Sequence, residues 1–488
     1  LFVPTVPEWV KENHNEAYSP YKLEQEKQLS ISFIVYASSS NTVLDAVKEW
    51  IRVFGLPNPV LPRNFSEELN LSMQAYLSSL WTPKKGWSHA SGWNPEPFPG
   101  YALLLLLTSF QEKDPTLKNE LMLRFNESLS LALKNGPAYL ACSSGLHIPG
   151  WQLPFYVGYL EEGLFSIKNY VYSLISTQDL EGEWSFQPSE STTDLGATGA
   201  KELGTTAIPA AEVLRYARIT GDKHALDSGL KALEAMKKYR IPRPAQPWEI
   251  PVHTPDILAS ARAIDAYLEG YIANGNREYL ERAKYWAYAG LPFVYLWSKE
   301  DRTIMLYATI PVYGATHYKA PVWFGRPVQW CGLVYAYELL RLSKYDNSFP
   351  WKLIGEGILS SGMRQQITSG SLVGTFPDSW DLVSNVAYGP YINPEDLVKP
   401  TLASIGFDPD LNTVVLRTQR GNITVTTPSK ILESKANNTQ VKLRLSFFKN
   451  ESCYILISGF KASSILKLNI GKLSYAENLN NITEGFKT

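Results

Sequence analysis

The sequence predicts a mainly helical fold, an (α/α)6 toroid followed by a C-terminal antiparallel β-sandwich. Apolar residues recur at helical spacing from about residue 44 to about residue 383, as expected of amphipathic helices. The links between these helices alternate between short and long. Beyond about residue 411, apolar and polar residues alternate singly, which is the period of half-buried strands.

Composition argues against two classes of partner. The chain has 488 residues, 44% hydrophobic and 19% charged, enough for a large core and a second domain. Its formal net charge of −1 provides no bulk attraction to nucleic acid or to an anionic membrane. The longest strongly apolar run, at 102–107, is far shorter than the roughly 20 residues that span a bilayer. We therefore expect no nucleic-acid partner and no membrane span.

The first 43 residues are predicted to be an extended lead-in. They contain Pro4, Pro7 and Pro20, which disfavour a continuous helix. The stretch LSISFIVYA at 29–37 is rich in strand-forming residues, so we interpret it as a strand or an extended wrap.

Six pairs of helices are predicted after the lead-in. Their bounds are 44–54, 65–81, 101–111, 115–135, 152–162, 164–176, 205–219, 223–238, 254–273, 277–297, 327–345 and 349–368. From the second pair onward the breaks within pairs are short, and short breaks make antiparallel neighbours. The long segments lie at 82–98, 136–151, 177–204, 239–253, 298–326 and 369–390. If each pair is a hairpin, all six long segments leave from one end of the ring.

The chain changes period after a linker predicted at 384–410. Val441, Leu443, Leu445 and Phe447 alternate with polar residues, as in half-buried antiparallel strands. With further strand-like segments they predict a β-sandwich over 411–488. The toroid is assigned to 44–383. Because the linker is rich in apolar residues, we expect the β-domain to pack on the toroid.

The long segments carry an excess of aromatic and histidine residues. They hold half of the 14 tryptophans and four of the six histidines. These residues are Trp87, Trp93, Trp151, Trp184, Trp248, Trp323, Trp380, His89, His147, His253 and His317. Large rings left in water gain nothing from burial, so they either pack a layer of loops or face a ligand.

A helical toroid followed by an antiparallel β-domain resembles the polysaccharide lyases of the heparinase and alginate lyase type, and more loosely the toroid glycoside hydrolases. The stretch QDLEGEWSF at 178–186 also resembles the Gln…Gly-x-Trp element of terpene cyclases and other toroids. It occurs clearly once, and no Asp-rich diphosphate motif accompanies it. The resemblance therefore implies a carbohydrate-active enzyme rather than a cyclase.

Sugar rings stack on tryptophan while their hydroxyls need directional polar partners. The candidate substrate-binding residues are Trp87, Trp93, Trp184, Trp248, Trp323, His89, Arg243 and Arg326. Loop packing is the alternative for each ring.

Two sets of candidate catalytic residues remain open. Abstraction of the proton α to a uronate carboxylate needs a base, an acid and a cation. His253 or His317, Tyr313, and Arg243 or Arg326 offer these roles. Hydrolysis instead needs two carboxyl groups about the scissile bond. Candidates for those are Glu249, Glu183, Glu190, Asp194, Glu202, Asp256, Asp378 and Asp381.

Within the second set, Glu249 and Glu183 are the pair that we select. Glu249 lies between Trp248 and Ile250, so its carboxyl is expected to have a raised pKa. Asp256 is more simply explained as the start of a helix, because Thr254-Pro255-Asp256 is a typical helix-starting sequence.

We expect an extracellular polysaccharide-degrading enzyme, with a lyase cleaving uronate-containing glycan by β-elimination preferred to a glycoside hydrolase. Its partner would be a polysaccharide or oligosaccharide, and no metal or cofactor is predicted. Seven glycosylation sequons indicate export, and Asn422, Asn437, Asn450 and Asn481 are the expected glycan sites. A non-catalytic surface glycoprotein that binds glycan or self-assembles is the third alternative.

Overall fold

The computed structural model describes residues 24–30, 32–37, 39, 42–141, 147–298, 301–312, 326–382, 384–419, 421–437, 440–459, 467–468 and 471–472. Tyr313, His317, Trp323 and Asn481 lie outside the described residues. None of the helices in the described ranges is long and apolar enough to cross a bilayer.

Helices dominate the chain up to residue 404. They are α1 (Leu44–Phe54), α2 (Phe65–Leu77), α3 (Pro99–Gln111), α4 (Pro115–Leu133), α5 (Pro154–Val157), α6 (Leu160–Ser176), α7 (Leu203–Thr220), α8 (Lys223–Met236), α9 (Ile257–Asn274), α10 (Arg277–Gly290), α11 (Gln329–Leu342), α12 (Trp351–Gln365) and α13 (Glu395–Ser404). Short 3-10 turns lie at Pro137–Ala141 and Leu291–Phe293.

The inner helices pack side by side into a ring. Helix α7 contacts α9, α9 contacts α11, and α11 contacts α13. The ring closes because α13 packs on α2 and α3, and because α6 packs on both α7 and the turn Pro137–Ala141. Every residue of α11 is buried, as expected of a helix covered on all sides. Helices α4, α8, α10 and α12 pack outside their predecessors.

Helix ends explain the short hairpin turns. Gly221 and Gly275 end α7 and α9 in the left-handed conformation, which glycine adopts without steric cost. Asp222 and Asn276 then accept backbone N–H groups at the starts of α8 and α10. Each turn therefore stops one helix and starts the next within about two residues.

The beginning of the chain differs from the sequence expectation. Helix α1 does not form a hairpin with α2 but packs on the outer helix α10, and the ring partner of α2 is α13. Residues 32–37, expected as a strand or an extended wrap, have no regular secondary structure. Their Phe33 and Val35 side chains are 81% and 82% exposed.

The stretch 384–410, predicted as a linker, contains strand β4 (Val386–Ile392) and α13. β4 pairs with β3 (Phe376–Asp381). Leu397, Val398 and Leu402 of α13 are buried. The hydroxyls of Tyr76 and Tyr101 donate to the two oxygens of Glu395 at 3.2 and 3.3 Å. This helix is therefore an integral part of the ring.

The long segments are hydrogen-bonded to one another at the end of the ring where the inner helices begin, which we call the mouth. The bonds that join them are Val252 N to Leu195 O (2.8 Å), Ile257 N to Pro311 O (3.0 Å), Arg302 Nε to Leu382 O (2.7 Å) and Ala90 N to Asn393 Oδ1 (2.8 Å). A small hairpin of β1 (Trp81–Thr82) and β2 (Gly86–Trp87) belongs to the same layer.

The C-terminal strands cover the opposite end, where the short turns lie. Arg417 donates to Asn274 O (2.6 Å) and Thr426 to Ile219 O (2.9 Å). The strands are β5 (Asn412–Thr418), β6 (Gly421–Thr427), β7 (Lys430–Ala436), β8 (Val441–Ser446), β9 (Leu456–Ser458), β10 (Lys467–Leu468) and β11 (Gly471–Lys472). They form a three-stranded sheet β5-β6-β9 and two-stranded sheets β7-β8 and β10-β11. A complete sandwich stays a prediction.

Candidate functional site

Glu249 lies at the mouth with its carboxyl largely buried. The backbone N–H groups of Glu249 and Ile250 both bond to Gln246 O (3.1 and 3.2 Å), and Ile250 is fully buried, so the turn is fixed. Glu249 Oε2 is buried and has no hydrogen-bond partner within the described part of the chain. Burial, and then the charge of Asp378, raise the pKa of this carboxyl to about 7, although a hydrogen bond from Trp248 opposes the shift. Glu249 is therefore protonated in a large fraction of molecules near neutral pH.

Asp378 approaches Glu249 from strand β3. The pairing of β3 with β4 shifts register between Pro377 and Ser379, and such a bulge redirects the side chain at that position. The carboxyl is 8% exposed, and the indole N–H of Trp330, at the start of α11, donates to Asp378 Oδ1 (3.1 Å). A hydrogen bond of this kind favours the ionised form of a carboxylate. The mouth thus contains two carboxyl groups in different surroundings.

Trp330 also connects Asp378 to a histidine. The His147 ring stacks on Trp330 with centroids 4.9 Å apart and planes 20° apart. Its Nδ1 lies 2.6 Å from Asp396 Oδ2, at the start of α13. This carboxylate fixes the orientation of the imidazole.

A second histidine lies close to the first. His89 is half-buried, and its pKa is lowered to about 4 by burial and by the charge of His147. Its ring stacks on Trp93 with centroids 4.7 Å apart, and its Nδ1 forms a hydrogen bond with Ser91 Oγ (2.6 Å). His89 is therefore neutral at neutral pH. Trp93 itself is 52% exposed, so one face of its ring remains open.

Arg326 provides a cation beside the β3–β4 hairpin. Its guanidinium carbon lies 3.7 Å from the centroid of the Tyr388 ring. One of its nitrogens lies 3.8 Å from Asp381 Oδ2. Cation–π and ionic contacts together hold it in the wall next to Asp378.

Glu183 is placed apart from this group. It is fully buried, and Lys238 Nζ and the hydroxyl of Tyr239 each lie 2.5 Å from one of its oxygens. Gln178 of the same QDLEGEWSF element bonds to Gly182 O and Ser228 O. The element therefore locks the connection after α6 onto α8, and the ion pair already uses the charge of Glu183.

Two of the predicted stacking residues are part of the core. Trp87 is fully buried and donates to Tyr76 O (2.8 Å). Trp184 is 7% exposed and donates to Leu174 O (2.9 Å). Neither ring presents a free face to a sugar. Trp248, by contrast, is 49% exposed directly beside Glu249.

His253 and Arg243 form a separate cluster about Glu202. His253 Nδ1 lies 2.6 Å from Glu202 Oε1, and an Arg243 nitrogen lies 3.6 Å from the same oxygen. The His253 side chain is 67% exposed. Because Glu202 also caps α7, this cluster has a structural role at the helix start.

Sequence reasoning missed Trp330 and Asp396, and it did not select Asp378 or His147. These residues belong to α11, α13, β3 and the segment before α5, so no local spacing relates them. Only the closed ring brings them together.

No family model matches the sequence, and no curated protein matches it. Its fold is similar to those of solved carbohydrate-active enzymes. An unsaturated glucuronyl hydrolase from Bacillus sp. GL1 is 11% identical over 68% of this chain and 96% of its own, with a TM-score of 0.46.

Two further similar structures have other activities in their names. A GH76 α-mannanase from Bacteroides thetaiotaomicron is 12% identical over 70% of this chain and 95% of its own, with a TM-score of 0.43. A cellobiose 2-epimerase from Bacillus thermoamylovorans is 13% identical over 70% and 98%, with a TM-score of 0.44. Because these TM-scores lie below 0.5, the function of this chain is inferred from its own residues.

Proposed function

We propose that this chain is a glycoside hydrolase in which Glu249 is the general acid and Asp378 is the second carboxylate. One observation supports this most directly. The buried Glu249 carboxyl has a pKa raised to about 7, in part by the charge of Asp378, and one of its oxygens has no partner among the described residues. Asp378 in turn accepts a hydrogen bond from an indole N–H. Two carboxyl groups with different proton affinities are what hydrolysis of a glycosidic bond requires.

The chemistry assigns one role to each carboxyl. Glu249 donates its proton to the glycosidic oxygen as the bond to the anomeric carbon breaks. Asp378 either attacks the anomeric carbon or takes a proton from the water that does so. If Asp378 attacks, water then displaces it from the anomeric carbon and gives its proton to Glu249. If Asp378 acts as the base, water adds its hydroxyl to the anomeric carbon and leaves a proton on Asp378, and proton exchange with solvent restores Glu249. The proposal therefore needs no further reactant.

Exposed rings beside the acid suit a glycan substrate. Trp248 and Trp93 are about half exposed, and the faces of such rings stack on sugars. Trp248 directly precedes Glu249, so a sugar stacked on it lies next to the acid. Arg326, although predicted to bind substrate, is 8% exposed and engaged by Tyr388 and Asp381, so it supports the wall of the site.

The test is a substrate panel with amide variants. Wild type, Glu249→Gln, Asp378→Asn and the control Glu120→Gln, an exposed residue of the outer helix α4, are incubated with neutral and uronate-containing glycans. We expect wild type to form new reducing ends without near-ultraviolet absorbance. The rate of their formation should be at least 100-fold lower in Glu249→Gln and Asp378→Asn and unchanged in the control. Hydrolysis that persists undiminished in Glu249→Gln would refute the assignment.

A lyase remains the competing hypothesis. Its acid Tyr313, one of its bases, His317, and its platform Trp323 lie outside the described residues, whereas His253 and Arg243 are engaged by Glu202. A lyase would form unsaturated products that absorb near-ultraviolet light, and Tyr313→Phe would slow it by roughly 100-fold. If neither product forms, a non-catalytic glycan-binding surface protein becomes the better explanation.

Export and glycosylation belong to the same proposal. The side chains of Asn422, Asn437 and Asn450 are exposed on the C-terminal strands and turns, where a bulky glycan can be solvated. A secreted enzyme would meet polysaccharide outside the cell.

A further inference from the structure

A polar cavity lies inside the ring, lined by His147 on the side of the mouth and by Asp410 toward the opposite end. Its volume is about 110 Å³, room for several waters at roughly 15 Å³ each. The walls come from the inner helices α7, α9, α11 and α13. His147, Gln152, Glu212, Arg262 and Lys399 are among the lining residues. The helical ring therefore encloses a polar space rather than a packed apolar centre.

Three residues of this wall have unused hydrogen-bonding capacity. Gln152 Oε1, Glu212 Oε2 and Arg262 Nε are buried, and among the residues that the structure describes none of these atoms has a hydrogen-bond partner. Buried polar atoms are nearly always paired in folded proteins, so a cluster of exceptions needs an explanation. Two of these atoms accept hydrogen bonds and one donates. A bound hydroxyl group both donates and accepts, and it can satisfy either kind of atom.

The remaining charges of the wall already neutralise one another. Arg215 contacts Asp265 (2.7 Å), and Arg341 contacts Asp265 (2.6 Å), Glu338 (2.9 Å) and Asp410 (3.3 Å). The lining comprises four cationic and four acidic side chains. It has no excess charge that would select an ion, which favours a neutral polyhydroxyl ligand.

At one end the cavity adjoins residues that hold Asp378 in place, and at the other it adjoins an ion-paired cluster. His147 lines it and stacks on Trp330, the residue that donates to Asp378. At the far end Asp410 is held by Arg218 (2.9 Å) and Arg341 (3.3 Å). This ion-paired cluster bounds the cavity on the side away from the mouth.

We infer that the cavity receives the terminal sugar of the substrate, so that the enzyme acts on chain ends and releases small products. This inference rests on the proposed hydrolase activity. The terminal sugar places its hydroxyl edge between Glu212 and Arg262, from α7 and α9, with Gln152 as a third partner. The glycosidic bond then lies toward the mouth, where Glu249 and Asp378 are located.

The first experiment identifies the products of end-labelled oligosaccharides of increasing length. We expect monosaccharide or disaccharide release from one end from the earliest time points. A ladder of internal cleavage products that still depends on Glu249 would overturn this inference while leaving the hydrolase assignment intact.

The second experiment tests the wall directly. Glu212→Gln and Arg262→Met should raise KM at least 10-fold with a smaller change in kcat, because they weaken binding of the terminal sugar. The exposed residue Arg277, at the start of α10, supplies the control Arg277→Met, which should change neither. Unchanged KM in both cavity variants would contradict the inference.

If no glycan is hydrolysed, measurements of direct sugar binding test the cavity instead. Calorimetric titration of neutral monosaccharides and of glucuronate into wild type and Arg262→Met then replaces kinetics. Binding of a neutral sugar that is lost in the variant supports the inference. Preference for glucuronate alone, or no binding to wild type, overturns it.

Discussion

The indole nitrogen of Trp330 lies 3.1 Å from Asp378 Oδ1, while the ring of the same residue stacks on His147. Trp330→Phe keeps an aromatic ring for the stack but removes the donor. The ionised form of Asp378 then loses a stabilising contact, so the acid limb of the pH dependence of kcat/KM should move to higher pH. Trp351→Phe removes a comparable bond to Asp346 away from the mouth and should leave that limb in place.

The alkaline limb of the pH dependence of kcat/KM should reflect the ionisation of Glu249. Its pKa is raised to about 7, and the acid acts only when protonated. As far as Glu249 is concerned, kcat/KM should therefore be at its maximum below about pH 6 and fall as pH rises through about 7. Measurement of kcat/KM from pH 4 to 9 checks this. A profile that stays flat to pH 9 would show that another group supplies the proton.

The buried arginines of the ring interior should matter for stability. Arg218 is 1% exposed and is held by Glu269 (2.5 Å) and Asp410 (2.9 Å). Arg218→Met leaves buried carboxylates with less compensation, so the free energy of unfolding should fall by about 3 kcal/mol or more. Urea unfolding measures the change. Arg52→Met, which breaks an exposed pair with Glu49, should be nearly neutral.

The C-terminal strands should resist separation from the ring. The Arg218 side chain donates to Leu411 O (2.8 Å), and the Thr426 hydroxyl donates to Ile219 O (2.9 Å), so hydrogen bonds from side chains to backbone carbonyls cross the boundary. Limited proteolysis of the whole chain should give no stable folded fragment that begins near residues 385–410. Clean release of such a domain would contradict this packing.

Glycan should be attached to at least two of Asn422, Asn437, Asn450 and Asn481 in protein secreted from a glycosylating host. Intact mass before and after glycosidase treatment measures it, and Asn→Gln at each site should remove one glycan. A mass equal to that of the bare chain would rule out the prediction.

The ring could be predicted from the sequence because it follows from local patterns. The apolar spacing of α7 to α12 and turn residues such as Gly221 and Gly275 act over a few neighbours. The helix α13 was missed because Pro394 and Pro400 are typical of a linker. In the structure Pro394 precedes the helix, where a missing N–H costs little, and burial of Leu397 and Leu402 stabilises the rest.

The candidate site was only half predictable. Glu249 has apolar sequence neighbours, which correctly indicated a raised pKa. Its partner Asp378 is 129 positions away in the chain, and its orientation depends on a bulge and on an indole from a third element. Such a pairing arises from the tertiary structure. Exposure of Trp248 and burial of Trp87 are likewise consequences of packing that residue type does not encode.

The contacts of Tyr76 and Tyr101 with Glu395 span 319 and 294 residues. During synthesis at about 5–20 residues per second, the helices α2 and α3 therefore wait for tens of seconds before α13 emerges from the ribosome. Over that interval the hydroxyls of Tyr76 and Tyr101 lack Glu395, the carboxylate to which they donate in the folded ring. Helix α13 is thus the last inner helix to be synthesised. Until it emerges, the apolar residues of the first helices must be kept from aggregating in an open, unfinished ring.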